Sequence, residues 1–181
     1  MRWRMRTLRM VVVGDGVPLE ARDRMAVSLG QAFGFSCKLA PDLLNPDGAF
    51  DEGRNQYHST RILEQLNQFS LEEDSRVLGI TGLDLYVPVL TFVFGEAQLT
   101  GRCAVVSCHR LRDEFYGLPS RPDLLEERLV KEAMHELGHT YGLRHCENWE
   151  CVMASTHSVE RLDLKKAEFC PACRKVIRAA G

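Results

Sequence analysis

The apolar positions along the chain change period several times, and each change marks an element. Residues 8–13 (LRMVVV) form a short apolar run closed by Gly14, the signature of a buried strand, and residues 19–33 place Met25, Leu29 and Phe33 at helical spacing. The chain thus opens with a strand-to-helix unit. Residues 35–39 predict a second strand, and residues 41–53, with two prolines and two glycines among mostly polar residues, a loop. Residues 57–69 predict a second helix with Ile62, Leu63 and Leu66 on one face. Residues 76–81, 85–94 and 103–107 are rich in β-branched or aromatic side chains and punctuated by glycine, which reads as three more strands. Gly14-Asp15-Gly16 lacks both the full glycine spacing and the Lys-Ser/Thr of a phosphate-cradling loop, so it predicts an ordinary strand-to-helix turn.

The last long helix is the best marked. Leu125, Leu129, Ala133 and Leu137 recur every four residues, Ser120-Arg121-Pro122-Asp123 resembles a capping box with proline in the first turn, and Gly142 is a natural stop. The pattern predicts a helix over residues 121–141. The whole reads as an α+β protein with an α/β-like N-terminal part, a twisted mixed β-sheet packed with helices. Its 181 residues suit one domain, divided into a sheet-and-helix part (1–119), a helix with its chemical motif (120–145) and a C-terminal segment (146–181).

Composition narrows the class. With 45% hydrophobic and 27% charged residues the chain is an ordinary globular one, not fibrous or disordered. No window approaches about 18 uninterrupted apolar residues, and the run at residues 10–13 ends at Gly14 and Asp15, so neither a membrane span nor a secretory signal is expected and the expected location is cytoplasmic. A net charge of −2 provides no overall field for nucleic acid or an anionic membrane, and neither partner is expected. Arg2, Arg4, Arg6 and Arg9 alternate with Trp3 and Met5, which reads as a strand or tail with one solvated face. Lys165, Lys166, Arg174, Lys175 and Arg178 give only a thin basis for a nucleic-acid-binding tail.

Side chains able to bind metal crowd the end of the chain. Four of the seven cysteines fall between positions 146 and 173, and three of the six histidines, His135, His139 and His145, come just before them. In a reducing compartment such cysteines point to metal binding over disulfides. His135 and His139, four apart on the predicted helix, share a face and can point into one metal ion with Glu136 beside it, while Gly142 turns the chain so that His145 returns as a third ligand. Three protein nitrogens around zinc leave a fourth position open for water, the mark of a catalytic site. Zinc would acidify that water and Glu136 could take its proton, which implies peptide-bond hydrolysis. By residue frequencies the full HExxHxxGxxH pattern arises by chance in about one chain of this length in 10⁵. Cys146, Cys151, Cys170 and Cys173 describe a closed four-thiolate zinc site, although a partition with Cys146 in the histidine site is also open. A redox role for Cys170-Pro171-Ala172-Cys173 alone is the weaker reading, given two further cysteines close by.

The histidine pattern matches the metzincin signature, and HELGHTYGLRHC followed by ENWECVM and CPAC resembles the archaemetzincins. The likeness is strongest over residues 132–173 and looser over 81–96. It implies a compact metzincin fold and a zinc metallopeptidase. By resemblance His135, His139 and His145 hold the catalytic zinc, Glu136 is the general base, Cys146, Cys151, Cys170 and Cys173 hold a second zinc, and Met153 occupies the methionine turn under the first. The expected partner is a peptide or protein substrate, the expected state a monomer, and residues 90–95 or 103–107 are candidates for an edge strand along which the peptide lies, the equal alternative being that both are interior strands. The alternative function is a non-catalytic zinc module that binds proteins or peptides. Cys37, Cys103 and Cys108 are expected as buried thiols, and His58, His109 and His157 as ordinary histidines, with His109 a remote candidate for a spare ligand.

Overall fold

The structure, a computed structural model, describes residues 7–34, 36–41, 43–69 and 75–179. Residues 2–6 of the basic N-terminal stretch, and Phe35 of the second predicted strand, lie outside them. In chain order the elements are β1 (Thr7–Val13), α1 (Leu19–Phe33), β2 (Ser36–Leu39), β3 (Phe50–Asp51), β4 (Gln56–His58), α2 (Ser59–Leu66), β5 (Arg76–Thr81), β6 (Leu85–Tyr86), β7 (Gly95–Ala97), β8 (Cys103–Ser107), α3 (Pro122–Thr140), α4 (Val159–Leu164) and α5 (Pro171–Ala179).

The larger sheet runs β2-β1-β5-β8-β7, parallel throughout except that β7 pairs antiparallel with β8. It is the mixed sheet that the sequence pattern predicts. Successive side chains of a strand point to opposite faces, and the apolar runs of β1, β5 and β8 supply both. Leu8, Met10, Val12, Leu78, Ile80, Ala104 and Val106 join Met25 and Leu29 of α1 and Leu129, Ala133 and Leu137 of α3 in one core. Val11, Val13, Val77 and Val105 join Ile62, Leu63 and Leu66 of α2 on the other face. Each of the buried Leu, Ile, Val and Met side chains among these contributes roughly 1.5–3 kcal/mol by leaving water. A small three-stranded sheet has the order β3-β4-β6. Among the described residues no helix is long and apolar enough to cross a membrane.

Three local expectations fail for identifiable reasons. The second helix is shorter than residues 57–69, because Tyr57 and His58 pair with Leu85 and Tyr86 and residues 67–69 tighten into a 3-10 turn. Residues 85–94 are not one strand. Only Leu85 and Tyr86 pair in β6; Pro88, which has no N–H to donate, opens a turn held by Arg54 donating to the Leu90 carbonyl (2.7 Å) and Gln56 donating to the Thr91 carbonyl (3.0 Å). The capping box does not form: Arg121 is the N-cap without a side-chain bond, and Pro122 alone marks the start. Of the two segments open to an edge or an interior reading, residues 103–107 take the interior one, and the sheet ends at β7, to which residues 90–95 lead.

The C-terminal segment is anchored to α3 by charge. Arg128, 2% exposed, donates to Asp113 Oδ1 (2.8 Å) and to both carboxylate oxygens of Asp163 in α4 (2.7 and 2.6 Å). Lys131 reaches the Leu162 and Asp163 carbonyls (3.3 Å each) and Glu127. A guanidinium so satisfied fixes α4 against α3, and hence the path of residues 146–179.

Candidate metal centre

The last two turns of α3 present His135, Glu136 and His139, and the chain then reverses. Tyr141 caps the helix and Gly142 adopts φ +84°, a left-handed conformation that glycine takes without the Cβ penalty, so the following residues return toward the helix. His145 meets the other two rings, with centroids 5.3 Å from His135 and 5.2 Å from His139. The ligand atoms of the three imidazoles all lie within 4.8 Å of one another.

The far sides of two rings are committed. His135 Nδ1 contacts the Val152 carbonyl (2.9 Å) and His139 Nδ1 the Leu143 carbonyl (2.7 Å). A carbonyl only accepts, so both Nδ1 atoms carry the proton and both Nε2 atoms present lone pairs. These two Nε2 atoms face each other at 3.1 Å. Burial presses both imidazoles toward the neutral form, His135 down to about 3, and the charge of Lys165 adds to the effect. Two lone pairs that converge without a proton between them repel unless a cation lies between them. The gap is close to the roughly 3.3 Å edge of a tetrahedron of nitrogens about 2.0 Å from zinc. The donor set therefore fits a zinc ion.

Glu136 is 6% exposed, and its carboxyl lies where Gly95 of β7 has no side chain: a Cβ there would stand 2.7 Å from Glu136 Cγ. Burial, with the charges of Glu132 and Glu96 adding, pushes its carboxyl well above the usual range. Glu96 itself accepts from Thr60 Oγ1 (2.9 Å) and Ser59 Oγ at the start of α2. Gly138 plays the matching part beneath the helix, where a Cβ would stand 2.4 Å from Met153 Sδ. Met153 is fully buried there.

The four cysteines form a second cluster, their sulfurs all within 4.8 Å of one another. Cys146 and Cys170 Sγ are 3.8 Å apart, far beyond a disulfide and equal to the edge of a tetrahedron with sulfurs about 2.3 Å from zinc. The backbone N–H of Cys170 donates to Cys151 Sγ (3.3 Å), and that of Cys173 holds the Cys170 thiol down to about 7. Cys146 lies in this cluster while its neighbour His145 joins the rings. Cys103 and Cys108 are buried thiols as expected, whereas Cys37 is only half-buried. His109 stands apart, its Nδ1 3.2 Å from the Gly82 carbonyl.

Sequence reasoning missed Glu132, Glu96, Gly95 and Lys165. Glu132 was readable, being one helical turn before Glu136. Lys165 was read as one of several tail cations, but it is 3% exposed and faces inward, which removes it from any basic patch.

Three imidazoles on a helix and its return, with a buried carboxyl between, are the donor set of a zinc-dependent peptidase of metzincin type. The description "Peptidase family M54" matches residues 37–179. The archaemetzincin of Methanocaldococcus jannaschii is 44% identical over 152 residues, covering 84% of this chain and 82% of that relative. The crystal structure of a zinc-dependent peptidase from Methanocorpusculum labreanum superposes with a TM-score of 0.85 at 31% identity, covering 94% of this chain and 99% of that one. That of the archaemetzincin from Methanopyrus kandleri superposes with a TM-score of 0.83 at 36% identity, covering 99% and 97%. The chain belongs to peptidase family M54, the archaemetzincins, and is a zinc metallopeptidase.

Proposed function

We propose that His135, His139 and His145 hold the catalytic zinc, that Glu136 is the general base, and that Cys146, Cys151, Cys170 and Cys173 hold a second, structural zinc. The observation that carries the first assignment is the pair of unprotonated Nε2 atoms facing each other at 3.1 Å. The tetrahedral sulfur spacing supports the last. Zinc on three imidazoles supplies Lewis acidity, acidifying a water and polarising a peptide carbonyl. Glu136 takes up the proton of the attacking water and delivers it to the leaving amine. A module that only binds peptides has no use for a carboxyl buried beside the rings.

Met153 gives the rings an apolar floor, and an extended peptide adds to the β7 edge by main-chain hydrogen bonds. The substrate class is short peptides, since a chain this small leaves little room for extended specificity pockets. Each cluster draws all its donors from within the one chain, which supports a monomer with residues 1–181 as one metallopeptidase domain. Replacing Glu136 by Ala is expected to keep two zincs per chain while hydrolysis of a mixed peptide library falls roughly 10²–10⁴-fold. Unaltered turnover removes Glu136 as the base, and a count of one zinc removes the second site.

A further inference from the structure

Lys165, just beyond α4, is almost fully buried beside the histidine cluster, and burial opposes its charged form. A buried ammonium costs several kcal/mol in lost hydration unless the groups around it compensate. Its Nζ donates to the Val152 carbonyl (3.2 Å), the same oxygen that accepts from His135 Nδ1 (2.9 Å). A carbonyl has two lone pairs, and here both are taken by donors held in the core. The peptide plane of Val152 therefore cannot rotate away from the His135 ring without breaking a charge-assisted bond.

The compensating charge comes from α3. Glu132 is 4% exposed and its Oε1 has no hydrogen-bond partner among the described residues, so Coulomb attraction to a cation is what favours its ionised form. Lys165 supplies that attraction, while burial pushes the Glu132 carboxyl up to about 7. Glu132, Glu136 and the Cys151 thiol favour the charged form of Lys165; Lys131 opposes it but is itself engaged by Glu127 and two carbonyls. Lys165 thus ties three things together: the helix that carries two of the histidines, the turn beneath it, and the chain leaving α4.

We propose that Lys165 is a positioning residue for the histidine site, its ammonium fixing the Val152 carbonyl that orients the His135 ring and the Glu132 carboxylate balancing its charge. The proposal rests on His135 being a zinc ligand through Nε2 and is independent of which group serves as base. Partners that orient a ligating histidine are typically worth 10–100-fold in metal affinity.

The test compares Lys165→Met with the charge-balanced double variant Lys165→Met/Glu132→Gln, which removes the hydrogen bond but leaves no unpaired buried charge and keeps the local net charge unchanged. Zinc release into a chelator is followed separately for the two clusters. The hydrogen exchange of the His135 ring N–H is followed by NMR in the metal-free protein. Both variants are expected to release histidine-site zinc about tenfold faster, with cysteine-site release unchanged, and to exchange the ring proton faster. With the metal restored, kcat falls about tenfold while KM stays within about twofold. Wild-type release and exchange in both variants overturn the proposal. So does full recovery in the double variant, because Lys165 would then act by charge alone. Should Lys165→Met fail to fold, the double variant decides. If Glu136→Ala leaves turnover intact, the base assignment fails while release and exchange still report on Lys165.

Discussion

The two donor clusters lie on either side of one short turn and are built in opposite ways. Two of the three histidines stand on one rigid helix, their far nitrogens fixed by carbonyls, and the groups around them include a buried carboxyl and a buried ammonium that only partly satisfy each other. The cysteines come from loops and from the first turn of α5, and Cys146 and Cys170 are half exposed. Rigid placement and unspent charge suit a centre that performs chemistry; four soft ligands drawn from separate loops suit a closed staple. The clusters are nevertheless joined. Cys151 offers its thiol to one, Val152 its carbonyl to a ring of the other, and Met153 its sulfur to the helix at Gly138.

That joint makes the largest prediction asymmetric. His145→Ala is expected to abolish turnover and histidine-site zinc while leaving zinc on the cysteines and the α4–α5 segment resistant to protease. Cys151→Ser is expected to cost the cysteine-site zinc and also to weaken zinc at the histidines roughly 10–100-fold, because the turn that supports His135 loosens with it. Metal counts after dialysis against a chelator, read beside limited proteolysis, check both arms. Full histidine-site occupancy in Cys151→Ser breaks the link.

A smaller effect is expected at Gly138, where the two clusters touch through Met153. An alanine there sets its Cβ 2.4 Å from Met153 Sδ, so the sulfur must move. Overpacking of this kind costs about 1–3 kcal/mol, measurable as a shifted urea midpoint. Pairing it with Met153→Ala is expected to recover part of the loss, and strict additivity would show that the methionine is not what the glycine accommodates.

How much of this was legible beforehand follows the same contrast. The histidine helix declared itself, because Leu125, Leu129, Ala133 and Leu137 keep helical period and His135, Glu136 and His139 sit on it at metal-binding spacing. The strands β1, β5 and β8 were equally plain, being short runs buried on both faces. The cysteine side was legible as chemistry but not as structure. Helices α4 and α5 are short, and what holds them, Arg128 to Asp163 and the cysteines of residues 170 and 173, is long-range. β7 was misplaced because Gly-Glu-Ala has little strand propensity of its own; pairing with β8 and the close approach of Glu136 to Gly95 impose the conformation. Lys165 escaped notice because lysines are almost never fully buried unless paired, and its partners are far away in the sequence.

Acid stability of the metal-free protein sharpens the comparison with the smallest signal. His135 titrates near 3 when folded and near 6.5 when unfolded, so between those values the unfolded chain binds a proton that the native one refuses, and stability falls as pH falls. Burial lowers His139 and His145 in the same sense. Glu132, raised to about 7 from 4.5, does the reverse: the native state binds the extra proton, so stability is gained as pH falls through that range, and Glu136 acts with it. From pH 6.5 to 4.5 the two sets oppose, and urea midpoints of the metal-free protein are expected to change little. Below 4.5 the unfolded carboxyls also take up protons, leaving the histidines unopposed, and the midpoint drops. Glu132→Gln removes one opposing proton, so in that variant stability is expected to decline already from pH 6.5 to 4.5, by up to about 1.4 kcal/mol per pH unit. An unchanged profile in Glu132→Gln would mean that its carboxyl is not held in the native core as the structure has it. Burial raises the Cys146 and Cys173 thiols and Cys170 is held at about 7, so these three do not titrate in this acid window.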